Sequence, residues 1–319
     1  MLINSRDLLT LCQGAAQQAG ADELTALSLA KATVHAEASG KTSVGLSHFF
    51  DYIQALESGA IKGSTEPSIS SQGAIVRVDA HHNIPHRGFD AAAEQLYSIA
   101  KNFGLGALAI SHAFTAGELG YFAYRLAERG LIGLIYSNSP AVVAAGSKKT
   151  KSLGTNPHAF GVPLKDRPLI IDQAISQSAF VTIRKAAENN LPLPAGWALN
   201  AVGKETTNAV EALEGALLPA GHKLANIGLM VESLAGLAGG KWSIDAPSFE
   251  KGPTSPSIGV FIAAINPDFF DTDFIARIDK HCCVLEQDHG VYIPGRNRKL
   301  KDKIEISDAL YNRLLEFKD

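Results

Sequence analysis

The chain has 319 residues, enough for a substantial core and, by length alone, about two domains. Apolar residues make up 46% and charged residues 19%, with a net charge of −3, so nothing points to nucleic acid or to an anionic membrane surface as a partner. No apolar run approaches the ~18 residues of a membrane span, and the N-terminus lacks the basic and apolar regions of a signal peptide, so a cytoplasmic protein is expected.

Residues 5–39 read as two helices. Leu8, Leu11, Cys12, Ala15 and Ala19 follow a helical period, Gly20-Ala21-Asp22 supplies a stop and a new cap, and Leu24, Leu27, Ala30, Val34 and Ala38 continue until Gly40. Residues 40–52 then form a glycine-broken polar loop carrying Thr42, Ser43 and Ser47. It runs into His48 and an apolar helical pattern of Phe49, Tyr52, Ile53 and Leu56. The plainer reading is a helix start capped by Ser47, and the sharper one is a histidine delivered to a site. Residues 59–74, rich in Gly, Ser and Pro, read as a linker.

Residues 74–79 alternate as a strand. A helix follows, with Phe89, Ala92, Ala93, Leu96, Ile99 and Phe103 on one face. Strands are expected at 105–110, 131–136, 167–172 and 257–265, and helices at 118–129, 178–189, 224–237, 271–281 and from about residue 306. Residues 190–222 are loop-rich, and 245–257 form a second linker. The alternation predicts an α/β architecture, a sheet covered by helices. The three cysteines offer neither zinc spacing nor a disulfide framework, and Cys282-Cys283 reads as part of a short strand.

His81, His82 and His86 cluster, but Pro85 prevents a shared helical face, so a solvated loop is expected there and not a metal site. The nearest match to a dinucleotide fingerprint, Gly104-Leu105-Gly106-Ala107-Leu108-Ala109, has its glycines before a strand. A phosphate loop needs them after one, with backbone amides opening a helix, so this is no phosphate loop. Four other polar loops are more informative. Residues 115–121 follow a strand and open a helix, where free amides favour an anion. Residues 154–158, 172–176 and 221–223 are the others.

These loops, in this order, resemble the type-2 malate/L-lactate dehydrogenase family, which also holds reductases of cyclic imino acids. The carrying residues are Gly117-Glu118-Leu119-Gly120-Tyr121, Arg129-Gly130-Leu131-Ile132-Gly133, Gly154-Thr155-Asn156-Pro157, Asp172-Gln173-Ala174, Leu193-Pro194-Ala195-Gly196-Trp197, Gly221-His222-Lys223, Met230-Val231-Glu232 and Ile293-Pro294-Gly295. The resemblance implies a non-Rossmann NAD(P)-binding α/β fold with a helical N-terminal region, and a homodimer. It implies NAD or NADP as cofactor, held by Thr115, Ala116, Gly117, Glu118, Leu119, Asp172, Gln173, Ala174, His222, Lys223, Pro294, Gly295, Arg296 and Arg298. It further implies a helical region at 1–72, a central cofactor-binding domain at 73–245, and a segment at 246–319 returning to the N-terminal region.

At residues 43–48 the chain departs from the family's Asp-Ser-His-Gly-Val/Leu-x-Arg segment. Ser43, Gly45 and Leu46 match, whereas the proton-donor histidine falls on Val44, the substrate-binding arginine on His48, and the donor's acidic partner on Thr182. The expected catalytic residues are therefore His48 and Ser43, with Thr155, Phe180, Val181 and His48 itself around the substrate. The implied reaction passes a hydride between nicotinamide and the α-carbon of a small 2-hydroxy or 2-oxo acid. Reduction of a cyclic imino acid is the alternative, because a protonated imine needs less help from an enzyme acid. A cofactor-binding homologue without turnover is the third reading.

Overall fold

The computed structural model describes residues 1–250, 252–296 and 299–317. The chain opens with β1 (Leu2–Asn4), α1 (Ser5–Gln18) and α2 (Glu23–Ala38). The Asn4 side chain accepts the Arg6 N–H, and Asp22 accepts that of Thr25, so both helices begin on side-chain caps. In α2, Thr25, Ser28, Thr33 and Glu37 are buried alongside Leu29 and Ala30, which makes it a helix packed on all sides. α3 (Leu46–Glu57) starts before the expected Ser47 cap. Gly45 takes the cap position, and the buried Glu37 carboxylate accepts the Leu46 N–H at 2.7 Å. The Ser47 hydroxyl instead accepts a hydrogen bond from Lys185 Nζ at 2.7 Å.

β2 (Ser68–Gln72) and β3 (Ile75–Asp79) form a hairpin, so the expected linker at 59–74 contains an edge strand. Then come α4 (Pro85–Phe103), β4 (Leu105–Ala113), α5 (Gly120–Ala127), β5 (Ile132–Ser137), β6 (His158–Val162), β7 (Leu169–Gln173) and α6 (Phe180–Glu188). The loop-rich stretch carries β8 (Ala198–Leu199), β9 (Glu205–Thr206), α7 (Ala209–Glu214) and β10 (Ala216–Leu217), with the three short strands in a sheet of their own. α8 (His222–Leu237), β11 (Ile258–Ile265), α9 (Phe274–His289), β12 (Lys303–Glu305) and α10 (Asp308–Leu315) complete the described chain.

Two histidine and cysteine expectations change. His86 is not in a solvated loop: it is buried in the first turn of α4, stacked on Phe122 at a centroid distance of 5.1 Å, and burial lowers its pKa to about 4. Cys282 and Cys283 lie within α9, not in a strand, and Cys282 packs with Val162, Leu164 and Ile293. Gly104 closes α4 in the left-handed region (φ +80°) before β4 begins, which accounts for a glycine there without any phosphate.

Among the described residues, seven strands form one mixed sheet in the order β2-β3-β4-β11-β5-β6-β7. Only β3 and β4 run parallel, joined by α4. The C-terminal segment thus divides. β11 is the middle strand of this sheet, whereas β12 pairs with β1, and Ile304, Ile306 and Leu314 join the core of α1–α3. Because β11 is antiparallel to both neighbours, β4 and β5 end at the same edge; β6, antiparallel to β5, begins there, and β7 ends there. Four loops therefore converge at one end of the sheet. α3 and the start of α6 lie across that end.

Candidate active site

At that edge is a cleft of about 290 Å³. β4 runs into Thr115, Ala116, Gly117 and Glu118 on its wall, and β5 into Ser137, Asn138, Ser139 and Pro140. The turn before β6 supplies Thr155 and Pro157, and the end of β7 supplies Asp172, Gln173 and Ala174. The loop into α3 brings Lys41, Ser43, Val44 and His48, the start of α6 brings Phe180 and Val181, and Phe249 closes the far side. The β5 and β6 loops are tied together, with Ser139 Oγ accepting the Thr155 N–H at 3.0 Å and lying 3.3 Å from Thr155 Oγ1.

His48 is buried, with its Nδ1 2.7 Å from Asp51 Oδ2. The two residues are three apart on α3, which places them on one helix face. The same carboxylate oxygen accepts from Arg184 Nη2 at 2.8 Å, and Arg184 Nη1 reaches Glu250 at 3.4 Å. Burial alone would raise the Asp51 pKa. The hydrogen bonds and charges of His48 and Arg184 overcome it and hold the carboxyl below the usual range. An ionised Asp51 accepts from Nδ1–H, so the other ring nitrogen of His48, which has no partner among the described residues, is the one free to meet a ligand.

A second ion network lies in the wall formed by Lys41, Glu118 and Asp172. Lys41 Nζ is 3.0 Å from Glu118 Oε1 and 2.5 Å from Asp172 Oδ2, and His35 Nδ1 is 3.2 Å from Glu118 Oε2. Burial pushes the Asp172 pKa up, whereas for Glu118 the hydrogen bond from His35 and the Lys41 ammonium outweigh burial and hold it low. Behind this wall is a larger cleft of about 730 Å³ that shares Lys41, Glu118, Asp172 and Gln173 and is lined further by Pro294, Gly295 and Lys299.

The family model described as malate/L-lactate dehydrogenase matches residues 3–314. The chain belongs to the malate/L-lactate dehydrogenase family. It is 32% identical to a (2R)-3-sulfolactate dehydrogenase (NADP(+)) of Chromohalobacter salexigens, over 98% of this chain and 97% of that one. It is 35% identical to a Δ1-pyrroline-2-carboxylate/Δ1-piperideine-2-carboxylate reductase of Pseudomonas putida, over 92% and 88%. The crystal structure of a Δ1-piperideine-2-carboxylate reductase from Pseudomonas syringae pv. tomato superposes with a TM-score of 0.93 at 30% identity, covering 99% of both chains.

As a member of this dehydrogenase family the protein is an oxidoreductase with the family's α/β fold. The cleft gathers His48, Ser43, Thr155, Phe180 and Val181, together with Thr115, Ala116, Gly117, Glu118, Asp172, Gln173 and Ala174. Val44 also faces it, so an apolar side chain stands where the family's proton donor is expected. Leu119 lies elsewhere, fully buried in the sheet core. His222 and Lys223 are exposed at the start of α8 and are not among the residues lining either cleft, although Ala220 just before them donates its N–H to the Ile175 carbonyl beside the cleft residue Ala174. Pro294 and Gly295 line the larger cleft. Arg296 turns from it to Asp279 Oδ1 (3.4 Å) and Glu286 Oε2 (3.1 Å), so its charge is already matched. Arg298 lies outside the described residues. Sequence reasoning missed Lys41, Asp51, Ser139, Arg184 and Phe249. Of these only Asp51, three residues after His48, carried a local signal.

The residues present fit a nicotinamide cofactor. Thr115 Oγ1 is buried in the cleft wall without a partner among the described residues, Gly117 (φ +63°) lets the loop run close against Tyr52 and His48, and the two adjoining clefts give room for an extended molecule.

Proposed function

We propose that the protein interconverts a small 2-oxo acid and its 2-hydroxy acid, with His48 exchanging the proton of the reacting oxygen. The bound cofactor, NAD or NADP, supplies or accepts the hydride at the substrate's α-carbon. Thr115, Gly117, Gln173 and Ala174 would hold it on the smaller cleft's side, and Pro294 and Gly295 on the other. The reading rests on the chain His48–Asp51–Arg184. Asp51 fixes the imidazole in the tautomer that leaves its other nitrogen without a partner among the described residues, on a side chain that lines the cleft, and Arg184 keeps Asp51 ionised and in place. In the reduction direction, protonated His48 donates to the oxygen as it gains negative charge; in oxidation, neutral His48 takes the hydroxyl proton. The hydroxyls of Ser43, Ser139 and Thr155 are the polar groups available to the substrate carboxylate.

Charge in the cleft narrows the substrate. Lys41 is already matched by Glu118 and Asp172, and Arg184 by Asp51 and Glu250. Among the described residues that line the cleft, a second carboxylate or a sulfonate would meet no unmatched cation, which costs several kcal/mol in a desolvated site. A monocarboxylate with an apolar body is therefore favoured over malate or sulfolactate. The wall of Val44, Phe180, Val181 and Phe249 suits such a body. That wall favours a second reading, reduction of a cyclic imino acid, whose protonated imine arrives carrying its own proton. No described helix is long and apolar enough to cross a membrane, and a cytoplasmic homodimer is the setting we propose. The exposed Leu229, Leu237, Trp242 and Ile244 on and beside α8 offer an apolar face to a second copy.

The test is a single panel run with NADH and NADPH: pyruvate, 2-oxobutyrate, oxaloacetate, sulfopyruvate, Δ1-pyrroline-2-carboxylate and Δ1-piperideine-2-carboxylate. Turnover of a monocarboxylate, at a kcat/KM about tenfold or more above the dianions, supports the reading, a tenfold ratio being roughly 1.4 kcal/mol of discrimination. Dianions turned over best would overturn the charge argument. Cofactor binding without turnover of any compound would overturn hydride transfer to these acids.

A further inference from the structure

Phe249 reaches the cleft from the segment after α8, far in sequence from the other lining residues. Its ring meets His48 edge-on at 6.0 Å and Phe180 edge-on at 6.0 Å. The next residue, Glu250, is held by Arg184, which also holds Asp51. The ring is thereby tethered to the same ion chain that orients His48.

On the other side of this ring is a third cavity, of about 340 Å³, lined in part by Leu213, Ile244 and Ala246 and in part by the polar Lys151, Ser243, Ser248 and Glu250. Pro140, Val142, Phe180 and Phe249 line both it and the smaller cleft, so these four side chains form the partition between the two spaces. Pro140 and Val142 belong to the β5 loop, which backbone hydrogen bonds pin at Ala141, Val142 and Val143. Phe180 opens α6. Phe249 sits in an irregular segment and is half-buried, which makes it the panel most readily altered without moving an element.

We propose that Phe249 is the specificity-determining residue for substrate length, closing off a ready-made rear cavity that would otherwise receive an extended apolar tail. The inference rests on the 2-oxo acid reading above and deepens it. With the ring present, the space beyond the α-carbon ends at the Phe180–Phe249 pair and favours short acids. With the ring removed, cleft and cavity become continuous, and a chain of several methylenes can pack against Val142, Leu213 and Ala246.

The experiment is equilibrium binding by calorimetry to the NAD(P)-loaded protein, comparing 2-oxobutyrate with 2-oxooctanoate, which carries four more methylenes. Binding needs no hydride transfer and so reads the partition separately from turnover. Phe249→Ala is expected to shift the ratio of the two Kd values toward 2-oxooctanoate by about tenfold or more, well within what burying four methylenes can supply. A crystal structure of that complex should show the tail in the rear cavity. Phe249→Leu, which shortens the side chain but keeps it apolar, covers failure of the alanine variant to fold and should move the ratio in the same direction. An unchanged ratio in a folded variant, or a tail placed elsewhere, overturns the proposal. If wild type binds neither acid, the substrate reading fails; capture of 2-oxooctanoate by the variant alone would still support the partition, and binding by neither protein would refute it.

Discussion

Asp51→Asn separates the role of the His48–Asp51–Arg184 chain from mere packing. The substitution keeps the shape of the side chain but removes the charge that meets His48 Nδ1 at 2.7 Å and Arg184 Nη2 at 2.8 Å. An amide can still accept one hydrogen bond, but it no longer compels Nδ1 to carry the proton, so the imidazole loses its fixed tautomer at the cleft. If His48 is the proton-exchanging group, kcat should fall by about 10²–10⁴-fold, the usual worth of general acid–base help, with cofactor affinity changed by less than about threefold. Two charge-assisted hydrogen bonds are weakened as well, each worth roughly 1.5–3 kcal/mol, so urea denaturation at pH 7 should show a loss of that order. The pH dependence has a definite sign. The folded-state pKa of Asp51 lies below the unfolded value near 4, so its stabilisation is present above about pH 4 and is lost as the pH falls through the folded pKa. The stability gap between wild type and Asp51→Asn should therefore close in acid. Stopped-flow oxidation of NAD(P)H with the best substrate, set beside denaturation at pH 7 and in acid, gives both readouts. Full turnover in the variant would refute the assignment of Asp51 as the group that orients His48.

Lys41→Met leaves Asp172 without its cation and Glu118 with only His35, and breaking a buried pair in this way costs about 3–5 kcal/mol at neutral pH. Both carboxyl pKa values then rise, so the loss should be greatest above neutrality and shrink as the pH falls toward about 4; equal stability of the two proteins at pH 7.5 by urea denaturation would contradict this. Gly154→Ala builds a Cβ into the Ser139 carbonyl oxygen, a backbone atom that cannot step aside without moving the loop. Stability should drop by about 1–3 kcal/mol and kcat/KM by roughly tenfold, because Ser139 and Thr155 move with that loop; a variant with wild-type kinetics would show that the two hydroxyls do not position the substrate.

Much of the fold was legible because the elements that build it are periodic. The helices at α1, α2 and α4 and the strands at β3, β4, β5 and β11 repeat apolar residues at their own spacing. β2 escaped notice because every residue in it is exposed, so no alternation marks it, and its existence depends on pairing with β3. Cys282-Cys283 was misread for the converse reason: a short apolar run carries no period, and α9 is fixed by packing against Val162 and Ile293. The site was legible as four loops, since loops at strand ends keep their glycines and polar residues together in sequence. Its charges were not. Lys41 meets Asp172 across 131 residues and Arg184 meets Asp51 across 133, so only the folded chain reveals that each cation is matched. His48 and Asp51, three apart on one helix, were the exception that sequence spacing could have supplied.

The central claim, that His48 exchanges the substrate's proton, is tested most directly by His48→Ala in single-turnover reduction with pre-bound NAD(P)H, alongside cofactor affinity by fluorescence. The expected result is a hydride-transfer rate lower by about 10²–10⁴-fold with cofactor affinity retained. A rate equal to wild type would contradict it and assign His48 to packing against Tyr52 and Phe249.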